Sequence, residues 1–125
     1  MQSLVLIALG GAIGALLRFL VSSGMHSVLG RGFPYGTLAV NVLGSLAMGF
    51  AFAILVEREQ FPVEYRALLM VGVLGAFTTF STFSFETLEL LENGAFARAL
   101  ANVLVNVTLC LAVCWAGLLL GRQVS

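Results

Sequence analysis

Charge is what this chain has least of. Of its 125 residues 10% are charged, 60% are hydrophobic and the mean hydropathy is +1.06, where an ordinary soluble domain carries roughly 25% charged residues. A soluble fold is excluded on that ground. Asp and Lys are absent and His26 is the only histidine, which leaves few parts for hydrolytic or metal chemistry, so an enzyme is not expected. The formal net charge is +0, and no nucleic-acid partner is expected either. Of the two cysteines, Cys110 and Cys114, the CxxxC spacing matches neither a redox CxxC nor a zinc ligand set, and both read as small apolar fillers.

What the chain does have is long apolar runs. Thr37 to Val56, Ala67 to Phe85 and Ala99 to Gly121 contain no charged side chain, and Leu4 to Met25 is interrupted only by Arg18. Each run is close to the roughly 20 residues that carry a helix across the hydrocarbon core of a bilayer. The expectation is an all-α membrane protein, a single four-span domain over residues 1–125, with spans at about 4–25, 37–56, 67–91 and 99–121. Little chain remains for a soluble domain. No basic residue precedes the first run and no small-residue cleavage pattern follows it, so it reads as a span and not as a cleaved signal peptide.

Orientation depends on arginines near the span ends. With a cytoplasmic N-terminus, Arg58, Arg66 and Arg122 fall inside and Arg31 and Arg98 fall outside. Three against two is a weak bias, compatible with a single topology and equally with insertion both ways, which would permit an antiparallel two-fold dimer. Local signals are clearer. Gly10 and Gly14 form a GxxxG pair that predicts close helix packing, Pro62 stands where the third span should start, and Asn93-Gly94 should end it.

Several polar residues stand where lipid would not tolerate them. Thr37, Asn41 and Ser45 recur at i, i+4 and i+8 in the second span, and Asn102, Asn106 and Cys110 repeat the spacing in the fourth. Each set shares one helical face, and an unpartnered amide in hydrocarbon costs several kcal/mol. A common polar seam follows, either as hydrogen-bonding glue between helices or as the lining of a pathway. In the third span, Thr78 to Ser81 follow Gly75 at mid-membrane. Hydroxyls that compete for backbone hydrogen bonds predict a broken helix near Gly75 to Thr79, and its freed carbonyls are ready ligands for a cation. Beyond the break, Phe80, Phe83, Ser84 and Thr87 share a face. Electropositive ring edges can attract a small anion, although aromatics at i, i+3 also pack without further purpose. Glu86 and Arg18 read either as interfacial residues or as groups beside the mouth of a pathway.

GGAIGALLRF, GTLAVNVLGS and GAFTTFSTFSFE, in this order and spacing, resemble the Fluc (CrcB-like) fluoride channel family over all four spans, the third motif being the most specific. The resemblance implies a dual-topology antiparallel homodimer in the inner (cytoplasmic) membrane, with two pathways that passively export fluoride and relieve its toxicity. It implies that Phe80 and Phe83 present ring edges to fluoride, with Asn41 as a pore-lining amide beside them. Ser81, Thr82 and Ser84 would be further polar contacts, and Thr37, Asn102 and Asn106 would belong to the polar pathway. Backbone carbonyls of Gly75 and Thr78 from both subunits would hold a structural sodium ion, and no organic cofactor is expected. Arg18 and Glu86 would stand at the entrance or vestibule. The rival is a proton-coupled four-span exporter of the small multidrug-resistance type. Such a transporter needs a midplane carboxylate, whereas Glu86 comes late in its span.

Overall fold

The computed structural model describes residues 2–124, and among these every regular element is a helix. Helix α1 is Gln2–Leu29. Helix α2 is Tyr35–Glu57, regular through Ala51 and then wound more widely, with i→i+5 bonding, over Phe52–Glu57. The third span, Val63–Glu92, comprises α3 (residues 63–77) and α4 (Ser81–Glu92), and residues 78–80 between them are not helical. Helix α5 is Phe96–Gln123. These four spans are each long and apolar enough to cross a bilayer.

The helices run a few residues past the apolar stretches, because backbone pairing continues into the headgroup region where side chains can already be polar. Their ends follow from local chemistry. Gly94 takes φ 76, its N–H bonds the Leu91 carbonyl at 3.1 Å, and the N–H of Ala95 reaches back to Leu90 at 2.8 Å. This closing motif needs a left-handed residue after Asn93, which glycine supplies without a Cβ penalty. The end of α2 is tied down by arginine. Arg66 Nε donates to the Leu55 carbonyl at 3.1 Å, and Arg58 Nη2 donates to the Gly121 carbonyl at 2.6 Å. Arg122 closes the same end with a two-point bond to Glu57, at 2.9 and 2.7 Å.

Packing divides the bundle into two pairs, α1 on α3 and α2 on α5. Against α3, α1 presents Gly10 and Gly14, both buried. A Cβ added at Gly14 would lie 2.1 Å from the Val73 carbonyl oxygen, and one at Gly10 would lie 2.4 Å from that of Leu68. The backbones therefore touch, as the GxxxG spacing predicts. Most large apolar side chains point outward, among them Leu16, Phe19, Leu111 and Trp115, and the few buried side chains include the polar Thr37, Asn102 and Asn106. An apolar exterior around a partly polar interior is the arrangement a bilayer imposes.

Candidate functional site

The site begins where the third span leaves helical geometry. Thr78 adopts φ −85, ψ 160, while its N–H and its hydroxyl both bond the Leu74 carbonyl, at 3.2 and 3.1 Å. The backbone of Thr79 is then without helical partners, and Asn41 of α2 supplies them. The Thr79 N–H donates to Asn41 Oδ1 at 2.9 Å, and Asn41 Nδ2 donates to the Thr79 carbonyl at 3.1 Å. One carboxamide thus satisfies both polar groups of a residue that would otherwise be stranded in an apolar interior. The Thr79 hydroxyl accepts the Thr82 N–H at 3.2 Å in the first turn of α4, as a capping side chain does. Gly44 lets this segment come close, since a Cβ there would lie 2.2 Å from Thr78 Cγ2.

From Asn41 a chain of amides runs along α5. Asn41 Nδ2 also donates to Asn106 Oδ1 at 3.3 Å, and Asn106 Nδ2 donates to Asn102 Oδ1 at 2.9 Å and to the Asn102 carbonyl at 2.9 Å. Asn102 Nδ2 then donates to the Thr87 hydroxyl at 2.8 Å, which itself donates to the Phe83 carbonyl at 2.8 Å. These bonds occupy both N–H groups of Asn41 and both of Asn106. Of the network's amide bonds, Asn41 to Asn106 is the longest, and hydrogen bonds weaken with length.

Beside this network lies a cavity of about 410 Å³ between α2, the 78–80 segment, α4 and α5. Its polar lining includes Asn41, Ser45, Thr78, Thr79 and Asn106, and neither Arg nor Glu contributes to it. Phe80 and Phe83 form its aromatic side, with ring centroids 5.4 Å apart and planes inclined by 50°. Phe83 is buried, whereas Phe80 is 77% exposed at the surface of the chain. The cavity can offer amide dipoles, hydroxyls and ring edges, but no formal charge.

Not every residue singled out in the sequence gathers here. Thr37 is buried and donates its hydroxyl to Glu86. Glu86 lines a second cavity, about 310 Å³, together with His26, Arg31 and Glu89. Ser81 and Ser84 are exposed, and the Ser84 hydroxyl turns back to the Phe80 carbonyl at 2.9 Å. Thr82 takes part through its backbone, and Arg18 is half-buried along α1, outside both linings. Thr79, Met48 and Cys114 are the additions. Thr79 was legible only as part of the interruption, because its pairing with Asn41 spans two helices, and the sulfur residues look like filler in a linear reading.

These features define the class: a multi-pass helical membrane protein with an uncharged, largely apolar cavity that opens beside a network of buried amides. The family model described as CrcB-like protein, Camphor Resistance (CrcB), matches residues 5–118, and the chain belongs to that family. It is 54% identical over 98% of its length to a protein of Methylococcus capsulatus named fluoride-specific ion channel FluC, and spans 54% of that longer relative. It is 49% identical to the protein of that name from Magnetococcus marinus, covering 94% of this chain and 96% of the relative. For the one from Pseudoalteromonas translucida the identity is 51%, over 94% of this chain and 98% of the relative. These relatives are named as channels and not as enzymes, in line with the scarcity of catalytic groups in the sequence.

Proposed function

We propose that the chain is a fluoride-specific ion channel that passively exports fluoride across the cytoplasmic membrane and works as an antiparallel homodimer with two pathways. Membership of the CrcB family and the names of its relatives support the substrate. The observation that carries the reading is the cavity itself, in which Asn41 and Asn106 stand beside the Phe80–Phe83 pair without any charged residue. Fluoride is small and strongly hydrated, and a pathway must replace its water without holding it too tightly. Uncharged donors and ring edges meet that requirement, whereas a buried arginine would trap the ion.

The hydrogen-bond geometry suggests how exchange proceeds. With its N–H groups committed, Asn41 can serve an anion only by releasing an acceptor, and the 3.3 Å bond to Asn106 Oδ1 is the one given up most cheaply. Fluoride then accepts from Asn41 Nδ2 in place of the Asn106 oxygen, and the amide pair closes again when the ion leaves. Phe80, exposed beside the cavity, suits a site that a second chain completes, and the near-balanced arginines suit insertion in both orientations. Against proton coupling stands Glu86, which bonds Thr37 and is absent from the central lining.

The residues assigned to a structural sodium ion fit it. In an uninterrupted helix the carbonyls of Gly75 and Thr78 would accept the N–H groups of Thr79 and Thr82, but those donate to Asn41 Oδ1 at 2.9 Å and to Thr79 Oγ1 at 3.2 Å. Both carbonyl oxygens are thereby released as hard ligands. A sodium ion held by them in two subunits would add positive potential and join the subunits.

The deciding experiment is fluoride-electrode measurement of efflux from liposomes containing the purified protein, with chloride efflux as control. Fluoride release without chloride release is expected. No fluoride release, or equal release of both, would defeat the reading.

A further inference from the structure

Three sulfur side chains line the central cavity, and the fluoride reading gives none of them a task. Met48 comes from α2, and Cys110 and Cys114 come from α5. The register of the two helices brings them together. Asn41 bonds Asn106, Ser45 and Cys110 line the cavity one turn further, and one turn beyond that the backbones meet. A Cβ at Gly49 would lie 2.0 Å from the Cys114 carbonyl oxygen. Met48, adjacent to Gly49, is therefore held at the level of Cys114, with Cys110 a turn away on the same helical face.

The thiols are free and half-buried. Their i, i+4 placement puts the Cβ atoms about 5–6 Å apart, beyond the 3.5–4.5 Å that a disulfide needs, so an internal bridge is not their use. Among the described residues no three His, Cys, Asp or Glu side chains form a metal-binding group. What is present is a softer set of two thiols and a thioether. Such donors prefer Cu(I)-like ions over hard cations, and an apolar interior favours a complex without net charge.

We propose that Met48, Cys110 and Cys114 form a binding site for one soft monovalent cation of the Ag(I) and Cu(I) type. As the ion enters, one thiol releases its proton to solvent and its sulfur bonds the metal. The other thiol and the thioether add neutral lone pairs, and the cation and the thiolate cancel in charge. No oxidation state changes. Because the ion would share the cavity of Asn41, Phe80 and Phe83, it would also obstruct the fluoride pathway, a consequence that rests on the function proposed above.

The test uses full-length protein in detergent, titrated with silver nitrate in chloride-free buffer, with bound metal determined after dialysis. One silver ion per chain is expected, with release of one proton. The Cys110→Ser/Cys114→Ser variant should bind more weakly by at least the about 10–100-fold that loss of an outer-shell partner alone costs at metal sites. Met48→Leu, which keeps both thiols, should weaken binding by less, and size-exclusion chromatography checks that each variant is folded. No binding by the wild type, or equal binding by a folded double variant, would overturn the site. In liposomes silver should stop fluoride efflux by the wild type and leave the double variant at its own silver-free rate. Bound silver with undiminished efflux would overturn the obstruction. Absence of efflux before silver is added would be a failure of the channel reading and not of the metal site.

Discussion

The two helix pairs of this bundle are built alike and behave differently. Both rely on glycine to bring backbones together: Gly10 and Gly14 of α1 lie on α3, and Gly49 and Gly117 lie where α2 meets α5. At the first contact nothing polar is attached, and glycine serves adhesion alone. At the second, the same closeness allows Asn41 to pair with Asn106, while Gly44, against Thr78, lets the backbone of Thr79 reach the same amide. In a membrane, where apolar side chains gain little by leaving lipid, close approach is what makes short polar contacts available. The lesson is that small residues hold the scaffold together in one pair and permit a polar interior in the other.

Substitutions can break that comparison. The largest effect should come from the scaffold pair: Gly14→Val puts a branched side chain against the Val73 carbonyl, with even its Cβ 2.1 Å away, and should cost about 3 kcal/mol or more. It would be read as a lower thermal midpoint and poor recovery of folded protein. A midpoint within error of wild type would mean that α1 can move off α3 freely.

On the polar side, Asn102→Leu removes a fully buried amide, leaving one Asn106 N–H without its side-chain acceptor and the Thr87 hydroxyl without its amide donor. A loss of about 2 kcal/mol in stability is expected, together with altered fluoride efflux. Unchanged stability would show that the amide chain is not cohesive. Phe80→Ile keeps apolar bulk but loses the ring edge, and Phe83→Ile does the same from the buried side. Each should lower efflux about tenfold, equivalent to about 1.4 kcal/mol of barrier, with stability changed less than in Gly14→Val. Efflux unchanged from wild type in both variants would return the rings to packing. Smallest of all, Glu57→Gln breaks an exposed ion pair with Arg122. Neither efflux nor thermal midpoint should change measurably, since exposed pairs contribute little; a clear drop in midpoint would make that end of α2 and α5 part of the scaffold.

Legibility differs between the same two regions. The α1 contact could be read directly, because GxxxG is a local spacing with a local consequence. The turn at Asn93-Gly94 was equally plain, and the helices match the apolar runs apart from their polar ends. The polar stripes of α2 and α5 showed that Asn41, Asn102 and Asn106 must avoid lipid. They did not show that Asn41 would also pair with Thr79, 38 residues away. Ser81 and Ser84, read in the sequence as further polar contacts, are exposed and outside the cavity lining of this chain, because the phase of α4 is set by where the interruption ends. Met48 and Cys114 gave no signal, as an apolar sulfur residue on an apolar helix is indistinguishable from filler until its neighbours are known.

By itself, the sequence determined that this is a four-span membrane protein almost without charge, with amides that had to find partners and a third span unsuited to unbroken helix. Those properties follow from composition and short-range spacing, where transfer energies and backbone preferences act residue by residue. Only the tertiary structure decided that Asn41 pairs with the Thr79 backbone, that Phe80 and Phe83 flank the same cavity, that Glu86 stands apart with Thr37, and that three sulfur side chains line that cavity. Those outcomes depend on the register of α2 against α5 and on the direction in which α4 resumes. Both are set by contacts between segments far apart in the chain, which no local rule contains.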